Sequence, residues 1–105
     1  YYPRCWFELP EVIEGELFDW NDKSVYYFIL WLSKVLKDHA PIKYEFERRK
    51  SYYYYQHDRV KPFLKLYFKS DDAMRHCVNL LNKPKNVSLW VNGTNISLGE
   101  NIRCT

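Results

Sequence analysis

A run of apolar residues at helical spacing sets the first limit on the fold. Val25, Phe28, Ile29, Leu32, Val35 and Leu36 recur at i, i+3, i+4, i+7, i+10 and i+11. That period lines one face of an α-helix. Asn21 or Asp22 can cap its start by accepting from free backbone N–H groups. Lys34 and Lys37 fall near its end, where cations suit the helix dipole, and Pro41 forbids continuation. The other side of the first half carries Tyr26, Tyr27, Leu30 and Trp31. A helix apolar all round needs cover on both sides. Two readings stand: these four residues form an interface to another domain, or the local core is thick.

Strands flank this helix. Cys5, Phe7 and Leu9 alternate with Trp6 and Glu8, and Pro10 closes the run. Glu11 to Trp20 reads as an acidic connection. Ile42, Tyr44 and Phe46 alternate with Lys43, Glu45 and Glu47, which predicts a strand with one buried face. Phe63 to Phe68 is a third strand, with Pro62 at its start, where no ladder N–H is lost. Ser70 caps a second helix with Asp71 and Asp72 in its first turn. Met74, Cys77, Val78 and Leu81 are its buried stripe, and Asn82 and Pro84 end it. Val87, Leu89 and Val91 predict a fourth strand. Asn92-Gly93 is a hairpin signal that folds a short fifth strand, Thr94 to Leu98, back on it. The order gives an α+β fold: a β-α-β-β-α-β ferredoxin-like sandwich, the layout RNA-recognition modules share, with a C-terminal β-hairpin. At 105 residues it is one domain.

No catalytic constellation accompanies this frame. His39 lies near a helix end, His57 in a connection and His76 on the second helix, none with a Cys or His at metal-ligand spacing. Asp71-Asp72 is explained by capping. With three glycines there is no phosphate loop, so neither a catalytic residue, a metal site nor a cofactor is expected in this segment. Three cysteines, at 5, 77 and 104, make no disulfide framework; Cys5 and Cys77 read as small buried hydrophobes, and a reducing compartment fits. No apolar run is long enough for a membrane span. The opening YYPRCWFELP lacks a signal peptide's layout and reads as the middle of a longer chain. Against this stand three N-glycosylation triplets, at Asn86, Asn92 and Asn95, which a secreted interaction domain would use.

The sheet's open face carries more information. With Leu64, Leu66 and Phe68 toward the helices, Phe63, Lys65 and Tyr67 face outward. Trp6 and Glu8 do the same on the first strand, and Trp90 on the fourth. Aromatics make up 19% of the chain, including ten Tyr and four Trp, a supply that suits a stacking surface, a protein interface or an aromatic core. Sheet-type RNA readers stack bases on outward rings of central strands. Arg48, Arg49 and Lys50 begin the basic middle of a chain whose first fifth is acidic, and the net charge of +3 leans weakly toward anionic partners. Two readings stay open: Trp6, Phe63, Lys65 and Tyr67 bind single-stranded nucleic acid with Arg48, Arg49 and Lys50 on its phosphates, or the rings are covered by the rest of a larger protein.

Lys61 to Asn82, KPFLKLYFKSDDAMRHCVNLLN, resembles the amino-terminal domain of family B DNA polymerases, of the delta-like and large-DNA-virus type. There a Pro-Phe-Leu-(Lys/Arg)-aliphatic strand leads into a helix ending in Leu-Leu. CWFELP is similar to that domain's aromatic strand, and KYEFERRKSYYYYQHD to its basic stretch before a turn. Gly99-Glu100-Asn101-Ile102 resembles its Tyr-Glu-x-Asn-Ile/Val element, with Gly99 in place of the Tyr and Cys104 where the family has an aliphatic strand. The likeness runs across nearly the whole chain. It implies a fragment of a DNA-directed DNA polymerase with 3'-5' exonuclease, whose catalytic carboxylates lie beyond Thr105. The segment would be a non-catalytic scaffold that helps bind the template strand of DNA and packs on the remaining polymerase domains. The implied setting is intracellular, in nucleus or cytoplasm or in a virus-infected cell.

Overall fold

The computed structural model describes residues 2–9, 11–13, 16–50, 60–82 and 102–104. Its strands are β1 (Arg4–Glu8), β2 (Val12–Ile13), β3 (Glu16–Leu17), β4 (Lys43–Lys50), β5 (Val60–Tyr67) and β6 (Arg103–Cys104). The helices are α1 (Asp22–Leu36), a 3-10 turn at Lys37–His39, and α2 (Asp71–Asn82). β4, β5, β1 and β6 form one antiparallel sheet in that order. Counting only these four strands, the order is 2-3-1-4 within a β-α-β-β-α-β pattern, an α+β fold.

Alternation on the two central strands builds the core. Cys5, Phe7 and Leu9 from β1 and its end, and Leu64, Leu66 and Phe68 from β5 and its end, are all buried. They meet Val25, Phe28, Ile29 and Leu32 of α1 and Ala73, Cys77 and Leu81 of α2. Each fully buried Leu or Phe contributes roughly 1.5–3 kcal/mol by leaving water. Asn21 caps α1, its Oδ1 accepting from the Ser24 N–H at 3.0 Å. Ser70 Oγ accepts from the Ala73 N–H at 3.2 Å and caps α2. Ala40 is extended before Pro41, where the ring disfavours a helical backbone. Pro62 lies inside β5, and its carbonyl accepts from the Leu9 N–H. A strand residue's N and C=O point to the same side, so its nitrogen faces past the end of β1 and costs no bond to β4.

Several expectations change. Val35, in the last turn of α1, is exposed. The second strand's buried face is incomplete: Ile42 is 50% and Tyr44 36% exposed, and only Phe46 packs against the core. Among the described strands β4 lies at the edge of the sheet, and the helices cover the central strands. The acidic connection contains a small β2–β3 ladder, Val12 opposite Leu17 and Ile13 opposite Glu16. It leads to Trp20, buried at 2% exposure and edge-on to Phe18 and Phe28. Part of the aromatic supply is therefore core. Beside β1 the described edge strand is Arg103–Cys104, which no apolar alternation announces. The strands expected at Val87–Val91 and Thr94–Leu98, Trp90, the C-terminal hairpin, the glycosylation triplets and His57 lie outside the described residues. No described helix is long and apolar enough to cross a membrane.

Candidate nucleic-acid interface

The ladder fixes which side chains share the face away from the helices, since directly paired residues point the same way. Three rows cross the strands. Lys43, Tyr67 and Arg4 form the first. Glu45, Lys65, Trp6 and Arg103 form the second, and Glu47, Phe63 and Glu8 the third. Arg49 and Lys61 continue the face beyond them. Each row holds one aromatic ring on a central strand, as the sequence predicts for Trp6, Phe63 and Tyr67. Six cations stand against three carboxylates on the described part of this face.

The carboxylates are engaged in specific pairs. Tyr67 donates its hydroxyl to Glu45 Oε1 at 2.6 Å, and Lys43 Nζ lies 3.8 Å from the same oxygen. Arg49 Nε donates to Glu47 Oε1 at 2.9 Å, and its Nη2 closes on that oxygen. Lys61 pairs with Glu8 at 3.4 Å. Arg49 lies 5.3 Å over the Phe63 ring and Lys43 5.2 Å over that of Tyr67, so these two faces already carry cations. The hydrogen bond from Tyr67 holds Glu45 below the ordinary carboxylate value, with Lys43, Lys65 and Arg4 acting the same way. The same bond pushes the Tyr67 hydroxyl up.

Between these pairs lies a concavity of about 230 Å³ lined by Arg4, Trp6, Arg49 and Lys65. A second, of about 340 Å³, is lined by Tyr2, Arg4, Ile42, Lys43 and Tyr67. The first sets three cations around an indole. An anion with a flat apolar part fits such a site, because the ring offers a stacking surface and the cations meet charge.

The expected basic group divides. Arg49 is on this face. Arg48 is on the other, where its Nη2 donates to the Trp20 carbonyl and lies 3.4 Å from Asp19 Oδ1. Lys50 pairs with Val60 at the end of β4, and its side chain is outside the described ones. Arg4, Lys43 and Arg103 join the face without having been singled out, although strand parity with Trp6 and Glu45 was available for the first two. On α1, Tyr26, Tyr27 and Leu30 share an exposed side, the two tyrosine rings 6.1 Å apart. Trp31 leaves that group: it stacks on Phe28 at 5.9 Å and packs against the core.

Cys5 and Cys77 are buried, as expected of small hydrophobes, and burial pushes the Cys77 thiol up to about 12 and Cys5 higher still. Cys104 sits directly opposite Cys5 across the β1–β6 ladder, a proximity the spacing did not show. All three are free thiols. Compared with known proteins, this chain matches no protein family, no curated protein and no solved structure.

Proposed function

We propose that this domain is a non-catalytic binder of single-stranded nucleic acid, with a ferredoxin-like, RNA-recognition-like sheet as its reading surface. The observation that carries the reading is the Arg4, Trp6, Arg49 and Lys65 concavity on the open face of the sheet. A base stacks on Trp6, and the surrounding cations take its phosphates. Phe63 and Tyr67 extend the track once Arg49 and Lys43 swing from their rings to the backbone. Ring stacking is worth roughly 1–3 kcal/mol per base, so replacing Trp6 with Ala weakens binding about tenfold or more. Electrophoretic mobility shifts with labelled oligo(dT), for wild type and Trp6→Ala, test this directly. Equal shifts for both proteins would remove the basis of the reading.

The setting that joins this face to the sequence resemblance is the amino-terminal domain of a family B DNA polymerase, with the DNA template strand as ligand. The uncovered Tyr26, Tyr27 and Leu30 side of α1 favours that setting, because it offers an apolar helix face for a neighbouring polymerase domain. Substituting all three with Ser leaves oligo(dT) binding intact and abolishes docking on the rest of such a polymerase, measured by pull-down between separately expressed parts. Unchanged docking would count against this setting and leave nucleic-acid binding standing.

A further inference from the structure

Away from the open sheet face, the fold brings His39 beside Asp72 and His76, a pair of side chains that α2 already sets one turn apart. His39 ends the 3-10 turn after α1, and Asp72 and His76 lie one turn apart at the start of α2. His39 Nε2 is 3.3 Å from Asp72 Oδ2, and His76 Nδ1 is 3.8 Å from the same oxygen. The two imidazoles stack with centroids 3.9 Å apart and planes within 10°. One ligand atom from each residue lies within 4.8 Å of the other two. We propose that His39, Asp72 and His76 bind a divalent transition metal of the Zn2+ class, tying the end of α1 to the first turn of α2.

The donor set suits that ion. Imidazole nitrogen and carboxylate oxygen are ligands for Zn2+ and its neighbours, and a three-residue set leaves a position for water. The exposed side of Asp72 gives water access to it. His76 Nδ1 lies 2.8 Å from the Asp72 carbonyl oxygen. Donation there places the ring proton on Nδ1 and frees Nε2, and a metal-binding histidine usually donates its other N–H in this way. The positive end of α2 opposes a cation, and Asp71 and Asp72 in its first turn offset that field.

Binding requires a small rearrangement. Bonds of about 2.0–2.2 Å in a tetrahedral site place ligands roughly 3.3–3.5 Å apart, closer than the widest separation here. Stacked rings also aim their lone pairs side by side, so one ring must turn. The His39 side chain is 36% exposed, and its turning leaves the His76 Nδ1 bond to the Asp72 carbonyl in place.

The test titrates the full chain with ZnCl2 by calorimetry and with CoCl2 by visible absorption. The expected result is one Zn2+ per chain, a rise in thermal midpoint with Zn2+, and Co2+ bands without thiolate charge transfer. His39→Ala and His76→Ala each weaken Zn2+ binding at least tenfold, and His57→Ala leaves it unchanged. Both rings are partly exposed; should either variant fail to fold, Asp72→Asn keeps the shape and reads the same loss. No saturable uptake, affinity within twofold in either folded histidine variant, or a thiolate band would overturn the proposal.

Discussion

The Tyr67 hydroxyl reaches diagonally across the β5–β4 ladder to Glu45, 2.6 Å away, although the residue directly opposite Tyr67 is Lys43. This bond sets the protonation of both partners. Folding favours the charged form of Glu45, so its contribution is present above the ordinary value of 4.5 and is lost as pH falls through the lowered folded value. Folding favours the protonated form of Tyr67, so its contribution is present below 10.0 and is lost as pH rises through the raised folded value. The tie is therefore intact across neutral pH and fails at both ends. In Tyr67→Phe, Glu45 is expected to titrate at higher pH, followed by carboxyl carbon-13 NMR. An unmoved Glu45 would show that the nearby cations, rather than the hydroxyl, hold it down.

Two adjacent arginines have opposite tasks. Arg48 fastens β4 to the segment before α1 through the Trp20 carbonyl and Asp19. Hydrogen bonds to a charged group contribute about 1.5–3 kcal/mol, and partial exposure reduces this to about 1 kcal/mol here. Arg48→Ala should thus unfold at lower urea and bind nucleic acid as wild type does. Arg49→Ala should keep its urea midpoint and lose about one unit from the salt dependence of binding. Urea melts and salt-titrated affinities of the two variants separate these roles. A swap of the two phenotypes would mean the face has been assigned to the wrong side of the sheet.

Parity and period made the centre of this fold legible. The helical repeat from Val25 to Leu32 and the alternation Leu64, Leu66, Phe68 both bury the residues they single out. The same alternation put Trp6, Phe63 and Tyr67 outward. What failed was information that resides in neighbours. An edge strand has the same alternation as a central one, so Ile42 and Tyr44 read as core. A lone Trp20 in acidic surroundings gave no periodic signal, yet it is buried. Arg48, Arg49 and Lys50 were grouped by charge, when parity already placed 48 and 49 on opposite faces. His39 and His76 are 37 positions apart, and only the packing of α2 beside the 3-10 turn joins them. The Asp72–His76 spacing of i, i+4 was the one local hint.

Lys37 closes α1 with φ 53° and ψ −112°, a left-handed conformation in which a Cβ crowds the backbone. Its N–H still bonds to the Ser33 carbonyl, and its side chain is exposed. Strain of about 1–3 kcal/mol exceeds the roughly 0.5–1 kcal/mol entropic cost of glycine, so Lys37→Gly should stabilise the domain by about 1 kcal/mol. Differential scanning calorimetry should show a higher midpoint. A lower one would mean that the lysine's interaction with the helix end outweighs the strain.

The central claim is that the open face of the sheet holds single-stranded nucleic acid. Fluorescence anisotropy with labelled single-stranded DNA and RNA, at low and moderate salt, tests it most directly. The comparison is wild type, Trp6→Ala, Tyr67→Ala and the helix-side pair Tyr26→Ala with Tyr27→Ala. The account predicts binding that weakens with salt, falls about tenfold or more in Trp6→Ala and clearly in Tyr67→Ala, and is unchanged in the helix-side pair. Binding that is absent at low salt, or that is lost only in the helix-side pair, would contradict it.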